Sequence, residues 1–246
     1  MFDARTRAGV CQCHAEGTRW LGTGDAGGYR RADAVYNVTV PEGFDRTDLE
    51  RYVDERRRGA DFDLDGPGLL TGVDVAKARC ARADSVTAVA TVGVSNPAPL
   101  PLEPDQTGSA GPTPDDAADW RPGTVNLVVG TDRALADGTL AELLATCVEA
   151  KAATLSKLVG VPGTTSDAAF VGTNPDGDPA EFAGSATAVG SAARACVRDA
   201  IRASFEARYA DEDPPSSVDE APYGVVTDRT ATVFEPTRAS PGPPHR

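Results

Sequence analysis

GTVNLVVGTDRALADGTLAELLATCVEAKAATLSKLVGVPGTTSDAAFVGTN, residues Gly123 to Asn174, reads as strand, long helix, polar glycine turn and strand. It carries the densest apolar periodicity of the chain and its most unusual polar residues. Thr124 to Gly130 is apolar and β-branched, with Asn126 inside it. Over 136–159, stepping about 100° per residue puts Leu140, Leu143, Leu144, Cys147, Leu155 and Leu158 on one stripe. Lys151 falls in the middle of that stripe. Glu149 lies on the opposite side, near Ala145, Ala152 and Ala153, and small residues there predict a second covered face. Ala168 to Gly172 is the closing strand.

Outward from this stretch the pattern stays mixed. Arg19-Trp20-Leu21 predicts a short strand, and Ala34 to Val40 another, ended by Pro41. Asp45 to Arg58 reads as a charged surface helix stopped by Gly59. Leu69 to Val73 is a further strand. Ser85 to Val94 is apolar nearly throughout, which predicts burial on both faces. Residues 185–209 read as a last helix with Val189, Cys196, Val197, Ala200 and Ile201 inward. Pro97 to Arg121 is rich in proline, glycine and acid; it reads as a surface excursion, because strand patterning resumes at Gly123. Residues 1–17 read as a loose lead-in, 18–210 as the domain, and 211–246 as an acidic, proline-rich tail. In that tail Val225-Val226 and Ala231 to Phe234 suggest an edge strand, with disorder over 236–246. The predicted fold class is α/β or α+β: a single domain, a mixed sheet of about five or six strands with two long helices packed on it.

Composition narrows the chemistry. With 246 residues and 40% hydrophobic content the chain builds a real core, mostly of Val, Leu and Ala. Its net charge is -13, and Lys77, Lys151 and Lys157 are its only lysines. Abundant Asp and Glu with almost no Lys resembles a surface adapted to high salt. So negative a field argues against nucleic acid and against anionic membranes as partners. No apolar run approaches the roughly 20 residues of a membrane-spanning helix. The N-terminus shows no apolar signal region, so a cytoplasmic location is expected. Five cysteines fit reduced thiols. Cys11-Gln12-Cys13-His14 lacks a second ligand pair, so no metal is expected. His14 and His245 are the only histidines, which disfavours a His-based hydrolase. Acid/base chemistry falls to carboxylates, lysine, hydroxyls or water.

A lysine in an apolar stripe either snorkels to solvent or is held by a buried partner. Held and desolvated, Lys151 can serve as a base or stabilise an oxyanion. Gly163-Thr164-Thr165-Ser166-Asp167 packs three hydroxyls and a carboxylate between a helix end and a strand. Such a turn offers N–H donors and hydroxyl nucleophiles, or simply capping chemistry. Asn96 and Asn126 sit at or in apolar strands, where an amide must find partners; each is either a clamp between strands or a group turned into a pocket. The glycines from Gly22 to Gly28 permit close backbone approach or positive-φ turns but do not match a dinucleotide fingerprint.

Taken in order, Gly93-Val94-Ser95-Asn96, Gly123-Thr124-Val125-Asn126, Glu149-Ala150-Lys151 and Gly163-Thr164-Thr165-Ser166-Asp167 resemble the adenosylcobinamide amidohydrolases. The Gly27-Gly28 turn, the Asn37 strand and Ala183 to Gly190 add to the resemblance, which spans roughly 19–208. Departures are the excursion after Asn96, a short link between the long helix and the hydroxyl turn, and Ser166 in place of threonine. The resemblance implies corrinoid salvage: hydrolysis of the amide joining a corrin propionate arm to aminopropanol, giving adenosylcobyric acid. The corrinoid is then substrate, and no cofactor is expected. The oligomeric state stays open, a homo-oligomer included. The expected pocket lies where strands 85–94 and 123–130 end near the 163–167 turn. Glu149 or Lys151 is the expected base, acting on water or on Thr164, Thr165 or Ser166. Asp167 orients, and Asn96, Asn126 and turn amides hold the oxyanion. Gly27, Gly28, Asn37 and Ser95 complete the expected binding set. The alternatives are an unrelated amidase with Thr165 or Ser95 as nucleophile, a corrinoid-binding protein without catalysis, and a purely structural halophilic domain.

Overall fold

Alternation along two buried strands sets the layers. In β8 (Val86–Val92) Val86, Ala88, Ala90 and Val92 join one hydrophobic cluster, while Val89 joins another on the opposite face. In β9 (Val125–Thr131) Val125, Leu127 and Val129 go one way and Val128 the other. All residues of both strands are buried, so the sheet is covered twice, as the unbroken apolar runs predict. The computed structural model describes residues 2–24, 27–103 and 125–215, and further along 218, 220–221, 223–227 and 229–237.

The six-stranded sheet runs β4 (Gly28–Arg31), β3 (Arg19–Gly22), β10 (Ala168–Thr173), β9, β8, β7 (Arg79–Ala83). Only β10 and β9 are parallel. Two helices, α2 (Asp137–Val159) and α3 (Ala188–Arg208), cover its outer face. A second, four-stranded sheet runs β1 (Asp3–Arg7), β2 (Val10–His14), β5 (Ala34–Thr39), β6 (Gly68–Thr71). Its outer face takes Tyr52 and Val53 of helix α1 (Leu49–Gly59). Between the sheets lie Phe2, Cys11, Cys13, Trp20, Val35, Leu69, Val128 and Phe170. The result is four layers, helix, sheet, sheet, helices. The six-stranded mixed sheet with two long helices is the predicted architecture; the second sheet with its own helix is additional.

The lead-in expected over 1–17 is instead a hairpin that supplies the edge strand β1 and its neighbour β2 to the second sheet. Ala8 and Gly9 both have positive φ, 48° and 77°, which makes the two-residue turn that matches strand twist. Phe2, Cys11 and Cys13 are buried between the sheets, and Val10 is buried on the α1 side. The expected tail strand is also changed. Tyr223, Val225 and Thr227 donate backbone N–H groups to Ser95, Pro97 and Pro99 at 3.2, 3.0 and 3.3 Å, so 223–227 runs along 95–99 without forming a named strand. Val233 and Phe234 are exposed. Most of the 97–121 excursion, from 104 on, and the expected disorder from 238 on lie outside the described residues. Among the described residues no helix is long and apolar enough to cross a membrane.

Two asparagines bolt the sheets together. Asn37 of β5 donates to Thr91 Oγ1 at 2.9 Å, and Asn126 of β9 donates to Asn37 Oδ1 at 2.9 Å and to the Leu70 carbonyl at 2.8 Å. Both are almost wholly buried. Asn37→Ala leaves polar partners stranded in this layer, so a loss of about 1–3 kcal/mol in unfolding free energy is expected. A thermal or denaturant melt identical to wild type would remove the clamp. The thiols give a second check. Cys11, Cys13, Cys147 and Cys196 are buried and Cys80 is exposed. Burial pushes the Cys147 thiol up to about 12. Native protein at neutral pH is expected to take one maleimide label quickly and five when unfolded; two fast native labels would contradict this packing.

Candidate active site

Strand polarity gathers the site at one end of the large sheet. Val92, the last residue of β8, pairs with Val125, the first of β9, and Asn126 pairs with Ala168, the first of β10. The segments leaving β8 (93–99) and approaching β10 (160–167) therefore meet. They are stitched by Thr165 N–H to the Asn96 carbonyl at 3.0 Å and by Ala98 N–H to the Gly163 carbonyl at 3.0 Å. This is the junction that the sequence predicts. The chain turns out of α2 at Gly160, whose φ of 75° supplies the left-handed helix end.

Lys151 does not snorkel. It sits on the buried face of α2, one turn beyond Cys147 and one turn before Leu155. Its ammonium pairs with Asp167 Oδ2, the two side chains being 11% and 13% exposed. Asp167 Oδ2 also accepts the Thr164 N–H at 3.1 Å, and its Oδ1 accepts the Thr164 hydroxyl. The carboxylate is thus charge-paired and hydrogen-bonded on both oxygens, the condition under which burying such a pair is tolerable. Gly163 makes room for it. A Cβ there would stand 2.5 Å from Asp167 Oδ2 and 2.7 Å from Lys151 Nζ. An ammonium carries three donors; among the described residues Asp167 is the one hydrogen-bond acceptor of Lys151.

Asn96, also buried, organises the other half of the turn. Its Nδ2 donates to Thr165 Oγ1 at 2.7 Å and reaches Ser166 Oγ at 3.3 Å. A hydroxyl that accepts from an amide keeps its own O–H for another acceptor. Thr165, Ser166 and Asp167 form one wall of a cleft of about 320 Å³. Thr23, Gly24, Leu49, Leu69 and Leu70 form much of the rest. Thr23 is fixed by accepting the Ala169 N–H at 3.0 Å on its hydroxyl. The cleft is therefore apolar on one side and carries two hydroxyls and a carboxylate on the other. That is an arrangement for holding a polar arm and delivering a proton acceptor to it.

Several expected site residues are placed elsewhere. Glu149 lies on the outer side of α2, exposed and paired with Arg194 of α3. It is two residues from Lys151, about 200° around the helix, so the two cannot face one cleft. Asn37 and Asn126 belong to the inter-sheet clamp and not to the hydroxyl turn. Gly27 and Gly28 are exposed, and neither lines the cleft; Gly28 has φ 79° and serves the turn into β4. Ser95 faces a second hollow, beside Asn96, and not the hydroxyl cleft. Sequence reasoning misses Thr23, Leu49 and Leu69 because nothing in a lone threonine or leucine marks a wall built from the end of β3, the start of α1 and β6.

Comparison with known proteins places this geometry in a lineage. A family model described as adenosylcobinamide amidohydrolase matches residues 2–213, from the first hairpin through α3. A relative named adenosylcobinamide amidohydrolase from Halobacterium salinarum is 48% identical over 238 residues, 96% of this chain and 100% of the relative. One of the same name from Methanosarcina mazei is 28% identical over 200 residues, covering 76% of this chain and 90% of that protein. The match starts well before residue 19, because the N-terminal hairpin is part of the second sheet. With both sheets, all three helices and the Lys151–Asp167 turn inside the matched span, the chain belongs to the adenosylcobinamide amidohydrolase family.

Proposed function

We propose that this protein hydrolyses the amide between the corrin propionate arm and aminopropanol of adenosylcobinamide, releasing adenosylcobyric acid for cobalamin salvage. Family membership supports the substrate, and the Lys151–Asp167 pair beside two cleft-lining hydroxyls supports the chemistry. The corrinoid enters as substrate and water is the second reactant. The acidic, lysine-poor surface and a halobacterial relative point to work in a salty cytoplasm.

The steps follow from the turn. Asp167, paired with Lys151, takes a proton from a water in the cleft as the water attacks the amide carbon. The carbonyl oxygen gains charge and accepts from the Thr165 and Ser166 hydroxyls, which Asn96 orients by donating to them. Collapse breaks the C–N bond, and the proton held by Asp167 passes to the leaving amine. Atoms and charge balance: water supplies OH to the acid and H to the amine. One observation favours a covalent variant. The Thr164 hydroxyl donates to Asp167 Oδ1, so the same base can activate that oxygen as nucleophile.

The direct test is release of aminopropanol and a cobyric acid from adenosylcobinamide in high salt, followed by mass spectrometry; no release in the presence of folded protein would end the proposal. Asp167→Asn is expected to lower kcat by about 10²–10⁴, and Thr165→Val by about 10². Glu149→Gln is expected to stay within twofold of wild type, and a large loss there would return Glu149 to the mechanism. Gly163→Ala places a methyl against both members of the ion pair and is expected to behave like Asp167→Asn while the far-UV spectrum is unchanged. A corrinoid adduct on Thr164 in rapidly quenched turnover selects the covalent variant, and its absence under accumulating conditions selects water.

A further inference from the structure

Asn96 is a ridge between two hollows. On one side its amide serves the hydroxyl turn. On the other it helps line a second cleft of about 350 Å³, whose character is different. Where the first is hydroxylic, the second is aromatic, walled by Phe44, Tyr209 and Tyr223. Tyr209 is anchored there, its hydroxyl accepting the Val94 N–H at 2.9 Å, and burial pushes its phenol pKa up. Arg208 stacks over the Tyr209 ring, its guanidinium carbon 4.9 Å from the centroid. Glu42 and Ser95 supply polar groups to the lining.

Tyr223 comes from beyond residue 213, where the family match ends. It is held by the backbone bonds from 223–227 to 95–99. The opposite edge of that same 95–99 segment bonds the hydroxyl turn through Asn96 and Ala98. The hydroxyl turn, the Asn96 segment and the C-terminal segment thus adjoin in that order, the first lining the hydroxyl cleft and the other two lining the aromatic one.

Neither cleft takes a whole corrin with its side arms. Both sit near the lower end of the ~300–1,000 Å³ range of small-molecule sites, so each has room for one substituent. A corrinoid of the kind in the relatives' names carries two that differ in chemistry: a polar amide arm, and an adenosyl group on the axial face opposite to that arm. We propose that the cleft walled by Phe44, Tyr209 and Tyr223 seats the purine nucleoside, with the corrin standing edge-on over Asn96 and its amide arm in the hydroxyl cleft. A purine offers flat faces to aromatic rings and an exocyclic amine to an acceptor such as Glu42. Tyr223 is then a specificity-determining residue contributed by the C-terminal segment. This inference rests on the proposed corrinoid substrate.

The test uses product analogues that lack the scissile amide, so binding is read without turnover. Dissociation constants of adenosylcobyric acid and aquacobyric acid are measured on the full chain by corrinoid absorbance after ultrafiltration. Wild type is expected to prefer the adenosylated form. Tyr223→Ala is expected to weaken adenosylcobyric acid by about tenfold, the loss of one base–ring stack, and aquacobyric acid by less than twofold. Tyr223→Phe, which keeps the ring, is expected to retain the preference. Equal weakening of both ligands would make Tyr223 a structural brace and overturn the assignment. So would a wild type that binds the two alike, or that binds neither. Aminopropanol release is a separate readout: its absence alongside a Tyr223-dependent preference would sink the hydrolysis and leave the nucleoside seat standing.

Discussion

A carboxylate and an ammonium cannot be taken out of water unless each finds the other and the remaining lone pairs are filled. That constraint shapes everything around Asp167. Lys151 supplies the charge, and Thr164 fills both oxygens from its backbone and its hydroxyl. Removing one partner of so buried a pair leaves an uncompensated charge, which costs about 3–5 kcal/mol. The turn can therefore close in few other ways. Gly163 has to be bare, Thr164 has to be polar, and the helix has to present residue 151 inward. A binding loop held by solvent-exposed polar residues would have no such demands. The local sequence is dictated by one ion pair, and the same ion pair is what leaves a structured carboxylate at a cleft.

The rest of the molecule holds that turn at the end of a sheet that cannot shift. The strands that feed the site, β8, β9 and β10, are sandwiched between α2 and α3 on one side and the second sheet on the other. Asn37 and Asn126 fix the second sheet to β9 through four polar groups with no water access. Leu69 and Leu70 of the second sheet also line the hydroxyl cleft. The inter-sheet register thus sets the width of the site, although neither asparagine touches the cleft's hydroxyls. A family likeness centred on asparagines in strands is consistent with this: a residue can be essential to a site by fixing the distance between its walls.

What was legible in the sequence follows from which residues are buried on both sides of an element. The 136–159 and 185–209 helices and the 85–94 and 124–130 strands declare themselves through apolar period, and they fall within one to three residues of α2, α3, β8 and β9. Lys151 stands out for the same reason, because a charge interrupts a stripe. Apart from the short buried β2, the lost strands are those with a polar face. β1 reads Asp-Ala-Arg-Thr-Arg, β4 Gly-Tyr-Arg-Arg and β7 Arg-Cys-Ala-Arg-Ala, all at sheet edges, where charged side chains guard against pairing with another chain. Arginine-rich edges look like loops. Of the candidate site, the turn and Asn96 were readable because hydroxyls, a carboxylate and an amide cluster near strand ends. The pairing of Lys151 with Asp167 was not, since nothing in a spacing of sixteen residues says that a helix will fold its middle back onto the strand that follows.

Lysine at 151, in a chain that uses arginine almost everywhere else, has a physical reason. The chain spends its cations on exposed pairs such as Arg46 with Asp48 and Glu55, where a planar, bidentate group reaches two acids at once. At 151 there is no such room. The ammonium lies against Gly163, so near that even a methyl at that position would touch it. A guanidinium is wider and carries five donors in a fixed fork, and Asp167 already accepts two bonds from Thr164, so most of that fork would be left unfilled in a buried place. A compact ammonium on a flexible stem fits behind the carboxylate and asks it for a single bond. Asp167 stays in the cleft wall beside Thr165 and Ser166. At 151 the chain's general use of arginine gives way to a point charge that fits a narrow space beside the hydroxyl turn.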